Sequence, residues 1–233
     1  MLEAKEVVVG YKKDIHILQG VSIWARQAQI TAVLGPNGVG KSTLLKTIYG
    51  YLKPSKGKII FKDENITGIN PYELSMKGIG YIAQRQNVFP YMFVEENLQI
   101  GAWPLRKDKN LVKEGIEENY KRFPVLKEKR KKRAGSLSGG QQRMVEFGRA
   151  LMTNPDILLV DEPTVGLAPK IAREVYDIMV RLKEEEKRTI LLVDQNIRQA
   201  VKHSDYVYAL ELGKNKTEGL AQDFEDLKKT IWL

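Results

Sequence analysis

Apolar and β-branched residues gather into short runs at 2–9, 21–25, 58–61 and 80–83, each bounded by Gly, Gln or Lys, the pattern of strands. From residue 86 the period changes. Segments 94–100, 111–122 and 139–153 carry apolar residues at helical spacing and are separated by Pro90, Pro104 and Pro124. Asn154-Pro155 closes the last of these helices, because the residue before a proline is disfavoured in the helical region. Alternation then resumes, with a strand at 157–160, a helix at 170–187, a strand at 189–193, a helix at 197–203 and a strand at 206–210. Several of these strands are apolar throughout, which means burial on both faces and a mainly parallel sheet covered by helices, the α/β class. The helical stretch interrupts that alternation. The chain therefore reads as a single domain, 1–233, whose core comes from 1–85 and 155–233 and whose inserted helical subdomain occupies 86–154. No internal repeat of solenoid period is present.

Residues 35–43, GPNGVGKST, form a phosphate-binding loop. A triphosphate needs backbone N–H groups aimed at it from close range, and glycines let the chain fold that tightly without a Cβ in the way. Gly35, Pro36, Asn37, Gly38, Val39 and Gly40 make the cradle. Lys41 supplies positive charge to the β- and γ-phosphates, and Ser42, followed by Thr43, offers a hydroxyl to Mg²⁺. A buried strand at 29–34 (QITAVL) enters the loop and a helix at 42–49 leaves it, the setting the motif requires.

Two further motifs complete a candidate site. ILLVDEP at 157–163 is an apolar strand that delivers Asp161 and Glu162 at its C-terminal end, where ligands sit in open α/β sheets. Asp161 is placed to hold a Mg²⁺ shell and Glu162 to act as general base toward water. LSGGQ at 137–141 starts a helix with Ser138, Gly139, Gly140 and Gln141, and a helix N-terminus of this kind is an anion site. One phosphate cradle already exists in the chain. A second on another lobe suggests that it serves the nucleotide of another subunit.

Composition narrows the context. The 233 residues contain no cysteine and only His16 and His203, which excludes disulfides, iron–sulfur ligation and a histidine metal cluster. No run approaches the ~18 apolar residues that span a bilayer, and the first residues carry Glu3 and Glu6 without a signal-peptide core, so a cytoplasmic setting is expected. The net charge of +9 is concentrated in part at 127–133, KEKRKKR. Its plainest reading is solvated surface; an anionic membrane or a nucleic acid are the sharper ones.

GPNGVGKST, Gln84 after the GIGYIA strand, LSGGQQ, ILLVDEP and ILLVDQN at 190–196 together resemble the ATP-binding-cassette (ABC) ATPases over essentially the whole chain. The resemblance implies a P-loop NTPase core with an N-terminal antiparallel β-subdomain and the inserted helical subdomain. It implies ATP and Mg²⁺ as ligands, and a head-to-tail dimer, of identical or paralogous subunits, with each nucleotide between one phosphate loop and the other LSGGQ. It further implies that Tyr11 stacks on adenine, that Gln84 joins the Mg²⁺ and water network, and that Gln195 occupies the catalytic switch. A finer likeness is carried by NVFPYMFVEENL at 87–98, EFGRALMTNP at 146–155, DEPTVGLAP at 161–169 and VDQN at 193–196. These resemble the ATPase subunits of branched-chain (hydrophobic) amino-acid importers; urea, amide and lipopolysaccharide systems share much of the pattern. That family implies membrane permease partners, an extracytoplasmic solute-binding protein acting indirectly, and a peripheral position on the inner face of the membrane. Soluble assembly ATPases share the fold and stand as the alternative. Nucleic-acid-associated relatives carry paired cassettes or long coiled coils, neither of which is present, so no nucleic-acid partner is expected. Two positions depart from the general family: Gln195 stands where most members have His, and Ala168 where most have Asp.

Overall fold

The computed structural model describes residues 1–10, 15–84 and 88–226. Its first sheet is antiparallel and contains β1 (Leu2–Val9), β2 (Leu18–Ala25), β4 (Lys56–Phe61) and β5 (Glu64–Asn65), in the order β2-β1-β4-β5. Strand β1 buries Leu2 and Ala4, then Val7 and Val9. The spacing slips by one residue between the two pairs, and a bulge absorbs the slip, with Glu6 at φ 47°. The bulge returns Val7 to the core face, which a regular strand would not do.

The second sheet holds β3 (Ile30–Leu34), β6 (Ile79–Ile82), β7 (Ile157–Asp161), β8 (Thr189–Val193), β9 (Tyr206–Glu211) and β10 (Lys214–Leu220). Its order is β10-β9-β3-β8-β7-β6, parallel from β9 to β6, with β10 added antiparallel at one edge. Every residue of β3, β7 and β8 is buried. Alternate residues serve opposite faces: Ile30, Ala32 and Leu34 join one core with the helices, and Val33 joins a second core with β1, β2 and β4. This explains why the strands read as continuous apolar runs.

Helix α1 (Lys41–Ile48) follows β3, and α2 (Pro71–Met76) precedes β6. The chain then leaves the sheet for α3 (Val94–Gly101), α4 (Lys109–Arg122), α5 (Pro124–Glu128) and α6 (Gly139–Leu151) before returning as β7, the hydrogen-bonded neighbour of β6. Asn97 of α3 is fully buried. Its amide donates to Phe89 O (3.1 Å) and Phe93 O (2.9 Å) and accepts from Phe89 N (2.8 Å), pinning the turn at 89–93 that leads into the helices. The C-terminal part adds α7 (Pro169–Glu186), α8 (Ile197–Lys202) and α9 (Ala221–Asp226).

Most boundaries fall within two residues of the sequence pattern. The differences are additions: α2, α5, α9 and the strands β5 and β10. The residues of β10 alternate between exposed and half-buried, so no apolar run marks it.

Candidate functional site

Strand β3 ends at Leu34, and the loop from Gly35 turns through Gly40 into α1. Gly40 sits at φ 108°, and a Cβ there would lie 2.5 Å from Leu18 Cδ2. A Cβ on Gly35 would meet Leu210 O at 2.7 Å and Val39 Cγ1 at 2.8 Å. Gly35 is thus required by its close approach to the β9 backbone and Gly40 by its left-handed conformation, and the loop packs against β2 and β9. Pro36, Asn37 and Gly38 are exposed at its crest, whereas Val39 and Thr43 are buried beneath it. No side chain caps α1. Its first N–H groups and positive dipole end are left to an anionic ligand.

Lys41 is 4% exposed. Its ammonium donates to Gly35 O (2.8 Å) and Pro36 O (3.1 Å) and lies 3.7 Å from Glu162 Oε1. The lysine is therefore folded into its own loop, its charge already beneath the cradle.

At the end of β7, the Ser42 hydroxyl donates to Asp161 Oδ1 (2.8 Å) and the Tyr81 hydroxyl to Asp161 Oδ2 (3.3 Å). Burial pushes the Asp161 carboxyl above its ordinary range; the Ser42 hydrogen bond opposes the shift and the neighbouring Glu162 charge adds to it. A buried carboxylate beside a hydroxyl is a hard oxygen pair suited to Mg²⁺, which binds through one or two carboxylates and completes its shell with phosphate and water. Among the described residues there is no group of three or more His, Cys, Asp or Glu that could hold a metal ion.

Glu162 adopts φ 42°, a left-handed conformation unusual for a residue with a Cβ, and its N–H donates to Val193 O (2.8 Å). Gln84 Nε2 donates to Glu162 Oε2 at 2.6 Å, so Glu162 is held between Gln84 and Lys41. The structure brings together Lys41, Ser42, Gln84, Asp161 and Glu162, residues from three separate stretches of sequence.

Ser138 caps α6: its hydroxyl accepts from Gln141 N (3.4 Å), and its N–H donates to Gln141 Oε1 (3.3 Å). Lys129 of the basic run also donates to Gln141 Oε1 (3.0 Å). Gly140 is buried, and a Cβ on it would lie 2.7 Å from Ile171 Cγ2. Gly140 therefore serves packing against α7, and the exposed end of the motif is Ser138 with the half-exposed Gly139. Among the described residues, no hydrogen bond joins Ser138 or Gln141 to the phosphate loop, Asp161 or Glu162.

Gln195 is exposed at the end of β8, and its carbonyl accepts from Ile197 N (3.0 Å). The preceding Asp194 is fully buried. It accepts from Tyr176 Oη (2.7 Å), Thr164 Oγ1 (3.4 Å) and Asn196 N (2.9 Å), which ties the turn bearing Gln195 to α7 and to the segment after Glu162. Burial is the first cause of the raised Asp194 carboxyl. Tyr11 lies outside the described residues.

Four features escape sequence reasoning. The contacts of Tyr81, Arg143 and Asp194 carry no sequence signal, although Asp194 lies within the VDQN motif, since they arise from tertiary packing. The fourth is an open cleft of about 610 Å³ beside the phosphate loop, lined by His16, Ile17, Asn37, Glu211 and Leu212 among others. It arrives through the start of β2 and the β9–β10 turn.

A model of the ABC transporter family matches residues 18–165. The chain belongs to the ABC transporter family. As an ABC transporter ATPase it binds ATP and hydrolyses it to drive transport. It is 39% identical over 229 residues to a probable branched-chain amino acid transport ATP-binding protein, LivF, of Archaeoglobus fulgidus, covering 98% of this chain and 96% of the relative. It is also 39% identical over 214 residues to the high-affinity branched-chain amino acid transport ATP-binding protein BraG of Pseudomonas aeruginosa, covering 92% and 90%. Among solved structures, the ADP conformation of an ATP-binding cassette of an ABC transporter matches with TM-score 0.87 and 31% identity, over 99% of this chain and 95% of that one. A dimeric post-hydrolysis cassette bound to ADP and Pi matches with TM-score 0.80 and 27% identity, over 95% and 99%. Among the described residues, no helix of this ABC cassette is long and apolar enough to cross a membrane.

Proposed function

We propose that this ABC ATPase energises the uptake of branched-chain or other hydrophobic amino acids. It would work peripherally on the cytoplasmic face of the membrane, bound to separate permease subunits. The substrate assignment rests on the likeness to LivF and BraG across nearly the whole chain. The hydrolytic assignment rests on one observation: Glu162 held by Gln84 and Lys41, next to an Asp161 already bonded to Ser42.

In this reading the α1 N-terminus and Lys41 bind the β- and γ-phosphates, with Pro36 to Thr43 forming the cradle. Lys41 exchanges its bonds to Gly35 O and Pro36 O for phosphate oxygens. Asp161, Ser42 and Gln84 would hold Mg²⁺, which when bound would supply charge neutralisation of the phosphates. Glu162 takes a proton from the attacking water, and Gln84 orients that carboxylate through its 2.6 Å bond. Gln195 donates an amide hydrogen bond to developing charge. Tyr11 contributes to the adenine side.

Ser138 to Gln141 of one subunit close on the nucleotide of a second, head to tail. The dimeric relative with ADP and Pi supports the presence of a second ATPase subunit. The core then consists of 1–85 and 155–233, and 86–154 is the helical subdomain that relays closure to the permease. Tyr51, Phe89, Tyr91 and Phe93 are exposed aromatics, with Tyr91 85% exposed, and they offer an apolar docking face.

The experiment is reconstitution of the chain with the permease that copurifies with it, followed by uptake of labelled leucine, isoleucine and valine. ATP-dependent uptake that fails with Glu162→Gln is the expected result. Copurification with no membrane protein, or a permease indifferent to hydrophobic amino acids, would overturn the substrate assignment.

A further inference from the structure

Arg143 of α6 is fully buried, five residues beyond the cap Ser138. Its Nη1 donates to Glu146 Oε2 (2.6 Å) and to Ala83 O (3.1 Å), and its Nη2 donates to Gln84 O (3.2 Å). The Nε has no hydrogen-bond partner. Burying a guanidinium is costly, and a well-packed apolar pair would usually stabilise a fold as well as a buried ion pair does. An arginine with one N–H unsatisfied is a poor device for stability alone. Its planar fork does something an apolar residue cannot, which is to grip two successive main-chain carbonyls at one orientation.

The second of those carbonyls belongs to Gln84, whose side chain bonds Glu162 at 2.6 Å. A continuous set of contacts thus runs from the helix that begins at Ser138, through Arg143, to the Gln84 main chain, and through the Gln84 amide to the Glu162 carboxylate. We propose that Arg143 is a positioning residue that fixes the Gln84 main chain to helix α6 and so sets where the Gln84 amide meets Glu162. Any displacement of α6 relative to the sheet then moves Gln84 with it. This rests on the hydrolytic roles given above to Gln84 and Glu162.

The test is steady-state ATP hydrolysis by the full chain as wild type, Arg143→Lys, Gln84→Ala and the double variant, with Glu162→Gln as control. Lysine keeps the charge but cannot span both carbonyls and Glu146. Arg143→Lys should lower kcat roughly tenfold, within the range for coupled neighbours, and leave KM for ATP within about twofold because Lys41 and Ser42 are untouched. In the Gln84→Ala background the same substitution should change kcat less than about twofold. An equal loss in both backgrounds, an unchanged kcat in Arg143→Lys, or wild-type turnover in Gln84→Ala would overturn the proposal. Retained turnover in Glu162→Gln would instead overturn the hydrolytic reading, and the proposal with it. Should Arg143→Lys fail to fold, Arg143→Met with Glu146→Met removes both charges together and enters the same comparison.

Discussion

Glu162→Gln tests the hydrolytic reading most directly. The carboxylate has two oxygens in use, one accepting from Gln84 Nε2 at 2.6 Å and the other 3.7 Å from the Lys41 ammonium. A glutamine has a single oxygen. With that oxygen toward Lys41, its NH₂ faces Gln84, whose own amide can turn over to accept. The bond to Gln84 is then restored in neutral form while the buried Lys41 loses a counter-charge, so folding stability should fall by about 1–3 kcal/mol. Lys41 keeps its bonds to Gly35 O and Pro36 O throughout. The neighbouring Asp161 gains: the Glu162 charge is one cause of its raised carboxyl, and removing it lets Asp161 ionise more readily. Affinity for Mg²⁺ and ATP should therefore be kept or tightened, within about threefold, while the proton acceptor is gone. Loss of a positioned general base costs ~10²–10⁴ in rate, or about 2.7 kcal/mol at the lower bound. The assays are phosphate release at saturating ATP and titration with a fluorescent nucleotide, with and without Mg²⁺. Turnover within tenfold of wild type at unchanged affinity would refute the reasoning, and loss of nucleotide binding would refute the electrostatic part.

Asp161→Asn should raise the Tm of the nucleotide-free protein at neutral pH and abolish the added stabilisation by Mg²⁺ with ATP. The folded state holds the Asp161 proton more tightly than the unfolded one, so that stability is present below pH 3.8 and is lost as pH rises through the raised value. Scanning calorimetry across pH checks this, and a lower neutral-pH Tm would contradict it. Gln195→Ala should cost ~10²–10³ in turnover, the scale of one preorganised donor, whereas Gln195→His should stay active and acquire a pH dependence near ~6.5. A pH–rate profile decides, and full activity in the alanine variant eliminates the donor role. Replacing the exposed Lys127, Lys131 and Lys132 by Gln should leave ATPase rate and liposome binding unchanged, since the ion pair of Lys127 with Glu117 is a surface contact worth ~0–1 kcal/mol. A salt-sensitive loss of liposome binding would show that the run meets a membrane.

The strands and the phosphate loop were legible because their signals are local. ITAVL, ILLVD and TILLV are buried throughout and carry the apolar runs that two-sided burial requires. Gly40 announces a turn that a Cβ would block. Helix α2 had readable signals too, with Asn70 at its cap and Pro71 at its first position, but six residues give too short a period to register. Strand β10 left no trace because an edge strand over solvent needs no apolar face. Arg143, Asp194 and Asn97 were invisible for a different reason. A polar side chain on a helix or at a strand end reads as solvated, and only tertiary contacts turn it inward. The same holds for Gly140, whose small size answers to Ile171 of a helix begun thirty residues later along the chain.

Strand β3 carries a burden during synthesis. It delivers the phosphate loop, yet both its sheet partners lie far downstream: Ile30 pairs with Ile190 on one side and Thr31 with Tyr206 on the other. A ribosome adding ~5–20 residues per second takes about ten to thirty seconds to travel from the end of β3 to the end of β8. For that interval a largely apolar strand has two open edges, the condition that invites pairing with a neighbouring nascent chain. Slow decoding within 35–189 should therefore lower soluble yield without altering the finished molecule. A chain ending before Thr189 would carry a complete GPNGVGKST loop on a strand lacking both of its hydrogen-bonded sheet partners.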